Sequence, residues 1–163
     1  MLLQYFKKKE NEYKLIADNI YIDILSKSKE LINDRFFKQV NFDSSFEIIS
    51  IILIFYLKIF KDNNTKKYKI INDLLVKNLI YDLDTTMREI GIGDMSIGKH
   101  VKKYVKKFYY RIKIIDPILD NCKEEKISQY LQTLKSIDTD FSSKMAVNLM
   151  VIYEKIKKNE EFV

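Results

Sequence analysis

The sequence predicts an all-α fold, a single compact domain of about six helices, and three observations lead there. Apolar residues recur at helical spacing along almost the whole length. Glycine and proline are scarce, with three Gly and one Pro in 163 residues, too few for the many tight turns of an all-β domain. The chain is 47% hydrophobic and 32% charged, enough to close one core and wet its surface. No repeat, linker or composition break divides residues 1–163, so one domain is expected.

The first helix is expected from about Glu12 to Ile32, with Leu15, Ile16, Ile20, Ile24, Leu25 and Leu31 inward. Arg35-Phe36-Phe37 begins an irregular link. Asp43-Ser44-Ser45 supplies an N-cap, since a side-chain oxygen there can accept from free amides of the next turn. The second helix follows from about Phe46 to Lys61 and carries the greasiest run, Ile48 to Phe60. That run falls short of the roughly 20 apolar residues of a membrane span and contains Lys58, so it reads as a buried core helix. Asp62-Asn63-Asn64-Thr65 is a polar turn.

The third helix runs from about Lys66 to Glu89, with Tyr68, Ile71, Leu74, Leu75, Ile80, Leu83, Met87 and Ile90 as its apolar set. Gly91-Ile92-Gly93 ends it, because glycine takes the left-handed conformation at little cost. Asp94 or Ser96 caps a fourth helix, about Ile97 to Ile115, with Ile97, Val101, Tyr104, Val105, Phe108, Ile112 and Ile115 on one stripe. Ile115-Asp116-Pro117 reads as a joint. Helices near Lys123 to Leu134 and Phe141 to Lys157 complete the chain, the last capped by Asp138-Thr139-Asp140.

Charge is the sharpest functional signal. From Lys99 to Lys113 stand Lys99, Lys102, Lys103, Lys106, Lys107, Arg111 and Lys113, with His100 and no acid. Seven of the 29 basic residues lie there, so the rest of the chain holds 22 basic against 23 acidic, and the net +6 is local. A local excess points to an anionic partner: RNA phosphate, a membrane surface or an acidic protein. Tyr104, Tyr109 and Tyr110 stand in the same helix, as core edge or as stacking and interfacial groups.

The chemistry-bearing residues support no active site. Gly91-Ile92-Gly93-Asp94 lacks the preceding strand and third glycine of a dinucleotide fingerprint and the Gly-Lys-Ser/Thr ending of a P-loop. Asp82, Asp84, Glu89 and Asp94 are acidic neighbours without a calcium-loop pattern, so structural pairing is expected and no metal. A single histidine, His100, and a single cysteine, Cys122, make a zinc site or a thiol–imidazole couple improbable. No nucleophile–base–orienter set is visible, and no cofactor or small-molecule substrate is expected. The apolar start at Met1-Leu2-Leu3 is too short for a signal peptide, and acids at Glu10 and Glu12 do not suit a mitochondrial presequence.

The stretch 82–111 also resembles a family signature. Asp82-Leu83-Asp84, Met87-Arg88-Glu89-Ile90-Gly91-Ile92-Gly93-Asp94, Met95-Ser96-Ile97, Lys99-His100-Val101-Lys102-Lys103 and Phe108-Tyr109-Tyr110-Arg111 follow the ubiquinol-cytochrome c chaperone pattern. That pattern reads Asp-x-Asp, then Leu-Arg-Glu-Met-Gly-Val-Gly-Asp and a basic helix ending in aromatic-Gly-Arg; Tyr110 stands where it has glycine. Asp43-Ser44-Ser45-Phe46 is similar to its Asp-Gly-Arg-Phe turn, with Ser45 in place of arginine, and the likeness spans roughly Tyr21 to Leu119.

The resemblance implies a non-enzymatic chaperone of the cytochrome bc1 complex (complex III) whose client is newly made cytochrome b. It implies a small helical partner protein and work near the ribosome. The expected place is the bacterial cytoplasm, peripheral to the inner membrane, or the mitochondrial matrix after presequence removal. Gly91 and Gly93 are expected to form the structural turn, and Arg88, Glu89 and Asp94, which fix the angle between the third and fourth helices there, are also expected among the partner-binding residues. Lys99, Lys102, Lys103, Lys106, Lys107 and Arg111 are expected to form a docking face for the ribosome or an anionic membrane, and an apolar groove beside the second and fourth helices to receive a client or partner helix. The alternative is a basic helical nucleic-acid- or ribosome-binding module, against which no nucleic-acid-binding signature is visible.

Overall fold

A computed structural model describes residues 2–32, 36–121 and 124–158, with side chains from residue 11 onward. Arg35, Cys122 and Lys123, named above, lie outside the described residues, as do the side chains of the first ten. The chain folds as α1 (Leu2–Leu31), α2 (Phe42–Asn63), α3 (Lys66–Glu89), α4 (Asp94–Asp120), α5 (Glu124–Gln132) and α6 (Ser142–Lys158). A 3-10 turn, Thr139–Phe141, leads into α6. The fold is all-α: strand-like pairing among the described residues is an isolated bridge from Phe37 to Ile137, which ties the α1–α2 link to the α5–α6 link.

α2 is the centre. Ile48, Ser50, Ile51, Ile52, Leu53, Ile54, Phe55 and Tyr56 are all buried, so the helix is covered on every side, as its unbroken apolar run requires. Its start differs from the expected one. Asn41, not Asp43, is the cap: its side chain accepts from the Ser44 amide at 3.1 Å, and the Ser44 hydroxyl accepts from the Asn41 amide at 2.8 Å. This reciprocal box moves the start four residues upstream of Phe46 and leaves Asp43 free to meet α4.

α1 and α3 cover one flank. Tyr21 donates to Asp82 at 2.9 Å and Asn78 to Asp18 at 2.9 Å, so the two helices run side by side in the same direction. Burial raises the Tyr21 phenol above its ordinary value, and the charge of Asp82 adds to the shift. Leu15, Ile80 and Ile90, expected inward, are exposed, while Leu79 is in the core. The apolar stripe is narrower than the sequence suggests because each helix meets the core along one line of contact.

α4 packs on the other flank, parallel to α2. The Tyr104 hydroxyl donates to Asp43 at 2.9 Å near one end, and Lys58 meets Asp120 at 2.5 Å near the other. Pro117 is not a joint. It sits inside α4, which continues to Asp120. The ring removes one amide donor a single turn from the end, and Lys58 and Lys61 of α2, paired with Asp116 and Asp120, hold that last turn in place. For Lys58, burial would lower the ammonium, but the hydrogen bonds it donates to Asp120, Asp62 and Asp116 outweigh that and raise it. The α5–α6 pair closes the core from below, with Phe55 against Tyr153 at 5.2 Å between ring centroids.

Candidate functional site

The site is built from the turn joining α3 to α4 and the face that α4 then presents. The turn is a Schellman motif. The Ile92 amide donates to the Met87 carbonyl and the Gly91 amide to the Arg88 carbonyl, each at 3.0 Å. Gly91 has φ +86°, in the left-handed region. A Cβ built there meets nothing within 4 Å, so Gly91→Ala should cost backbone strain alone. A loss of roughly 1–2 kcal/mol is expected in chemical denaturation; an unchanged midpoint would refute the strain argument.

Arg88 locks the turn. Its guanidinium meets Asp84 at 2.8 Å and Asp94 at 2.5 Å, one carboxylate on each helix. The hydrogen bond to Asp84, then its charge and those of Asp94, raise the guanidinium further. Glu89 points into solvent, and Asp82 is engaged by Tyr21. The acidic residues are thus spread over separate pairings. Gly93 is the residue before α4 and caps it without a side-chain bond, so neither Asp94 nor Ser96 is the cap.

Beyond the turn, α4 divides its basic residues between two roles. Lys99, Lys102, Lys103, Lys106 and Lys113 are exposed, and His100 is half-buried. Arg111 is not on the surface: it is 1% exposed. Its guanidinium pairs with Glu47 and donates to Ser50 of α2, and its Nε donates to the Tyr130 hydroxyl of α5 at 2.7 Å. Lys107 bends to the second oxygen of Glu47. Both cations lie over the Phe46 ring, Arg111 at 5.4 Å and Lys107 at 5.6 Å. The acid that compensates them comes from α2, 60 residues away, so a reading of α4 alone could not see it. Burial pushes the Tyr130 phenol up against the opposing pull of Arg111. Burial, with the bond to Asp43, pushes Tyr104 up to about 12.

Glu47 and Tyr130 escaped sequence reasoning. The available signal was a carboxylate standing directly before the greasiest run, which needs a cation as partner once buried. Tyr104 is core, whereas Tyr109 and Tyr110 are exposed.

Apolar grooves lie beside α2 and beside α4, each shared with another helix. Between α2 and α4, beside Ile54, Leu57 and Ile112, where Lys58 and Lys61 pair with Asp116, the cavity measures about 70 Å³. A groove of about 290 Å³ opens instead between α2 and α3, lined by Phe42, Phe46, Ile49, Leu79, Leu83 and Ile90. Ser45, standing where the family pattern has arginine, lines it. A second, of about 660 Å³, lies between α4 and α5 with Ile114, Ile118 and Leu134 among its walls and Lys107 and Lys126 at its rim.

Residues 34–141 match the family model described as ubiquinol-cytochrome C chaperone, a span holding α2, the Schellman turn, all of α4 and α5. The chain belongs to this family. The match starts after α1 and runs into the 3-10 turn before α6, so it begins and ends later than the motif likeness from Tyr21 to Leu119. The fold of this chaperone-family member is similar to the crystal structure of the Cbp3 homolog from Brucella abortus, with a TM-score of 0.75 at 19% identity over 96% of this chain and 88% of the other. No curated protein sequence matches the chain. No helix among the described residues is long and apolar enough to cross a membrane.

Proposed function

We propose that this family member is a non-enzymatic assembly chaperone that holds newly made cytochrome b during biogenesis of the cytochrome bc1 complex. The observation carrying this reading is the family match, which spans both the locked α3–α4 turn and the acid-free face of α4. In this reading the chain works in the bacterial cytoplasm, peripheral to the inner membrane. The α2–α3 groove, floored by Phe46 and Leu83 and open at Ile90, is sized for apolar side chains of a client or small helical partner. Lys99, Lys102, Lys103 and Lys106 dock the complex on the ribosome or the membrane.

The test is a crosslinked affinity capture from cells containing a bc1 complex, read by mass spectrometry at low and high salt. Cytochrome b should be captured at both salts if the groove holds it. Lys99→Glu/Lys102→Glu/Lys106→Glu should abolish ribosome or membrane association at low salt while leaving helical content unchanged. Capture of RNA-binding complexes with no bc1 subunit would replace this reading with the nucleic-acid-binding module.

A further inference from the structure

The outward line of α4 has an order that the charge count does not express. Successive residues turn by 100° on a helix, so Met95, Lys99, Lys102, Lys106, Tyr109 and Lys113 fall on one line, with Lys103 and Tyr110 beside it. All eight are exposed. Asp94 is about 100° round the helix from this line and tied to Arg88. Asp116 and Asp120, at the far end, are tied to Lys58 and Lys61. The lysines of this line are therefore free of acids on their own helix, and the two basic residues that α2 neutralises, Lys107 and Arg111, are off it.

Met95 stands fully exposed at the start of the line and the tyrosine pair toward its end, about 20 Å apart at 1.5 Å per residue. We propose that this line lies flat on an anionic phospholipid surface, the lysines against headgroup phosphates, with Met95 and Tyr109/Tyr110 entering the interface at either end. The proposal rests on the reading of α4 as a docking face and names its partner.

Charge complementarity supplies the attraction. Three features favour lipid over RNA. The cations on the line are all lysine, a point charge, where fork-like recognition of bases or phosphates favours arginine. An exposed methionine gains nothing from a phosphate backbone but gains from an apolar layer. Tyrosine, with an apolar ring and a polar tip, belongs at the membrane–water interface. A plane also meets every residue of a straight helix line at once.

The test uses the purified full chain and sedimentation with vesicles of phosphatidylglycerol and phosphatidylethanolamine against vesicles of phosphatidylcholine alone, at two salt concentrations. Binding is expected to the anionic vesicles only and to fall with salt. Lys99→Gln/Lys102→Gln/Lys106→Gln should weaken it about 100-fold, at about fivefold per lysine. Met95→Ser/Tyr109→Ser should weaken it at high salt, where screening leaves the apolar anchors in charge, and circular dichroism should show both variants folded. Equal binding by wild type and the lysine variant would overturn the proposal. So would lack of vesicle binding, with or without tight binding to ribosomal RNA. Cytochrome b capture is read separately, so its loss would strike the chaperone reading and vesicle failure only the lipid assignment.

Discussion

Glu47→Ala is expected to lower the free energy of unfolding by about 3–5 kcal/mol, far more than a surface ion pair would. The carboxylate is 3% exposed and is the counter-charge of a guanidinium that is 1% exposed. Its removal leaves Arg111 with the Ser50 and Tyr130 hydroxyls, neutral partners that offset little of the cost of a buried cation. Lys107, half in solvent, would swing outward at small cost. The double variant Glu47→Leu/Arg111→Met removes both charges and should recover most of the lost stability, because paired buried charges contribute little more than well-packed apolar groups. Urea denaturation of the three proteins decides it. A loss under about 1 kcal/mol for Glu47→Ala would place this pair with the weak surface bridges and remove the argument.

Phe108→Ala should cost a similar amount, about 3–5 kcal/mol, for a different reason. Phe108 has no exposed surface and sits midway along α4, between Tyr104 and Arg111 on the inward face. Its loss leaves a cavity where α4 meets the core, and the helix that carries the lysine line would loosen with it. Hydrogen exchange should therefore accelerate across α4 in this variant beyond the global change, with weaker docking as the consequence. Tyr109→Ala, one residue on but facing solvent, is the control and should change stability by less than about 0.5 kcal/mol. Equal losses for the two would mean that α4 is not seated by this ring.

Much of the architecture was legible in the residues. The bounds of α3 at Lys66 and Glu89 follow from the Thr65 cap and the Gly91 turn, both local chemistry within a few residues. The inward stripe of α4 from Ile97 to Ile115 is periodicity, also local. The role of Ile48 to Phe60 as a buried core helix follows from a run too short and too interrupted for a membrane. Where the reading went astray, one cause was local competition and the other a contact between distant parts of the chain. Asn41 outcompeted Asp43 as a cap because Ser44 could reciprocate, and Pro117 was held in helix by lysines 55 residues or more away.

The sequence by itself determined an all-α domain, the position of its sharp turn, and the acid-free stretch from Lys99 to Lys113 that follows, since propensity, capping and charge patterning act within one or two helical turns. Only the tertiary structure decided which of those charges remain free. Arg111 and Lys107 belong to the same run as Lys99 and Lys106, yet packing α4 parallel to α2 sets the first two against Glu47 and leaves the others facing water. Likewise it decided where a groove can open: ion pairs close α2 onto α4, and the space falls between α2 and α3 and between α4 and α5. Partners 60 residues apart meet through the packing of whole helices, and no local pattern encodes that meeting.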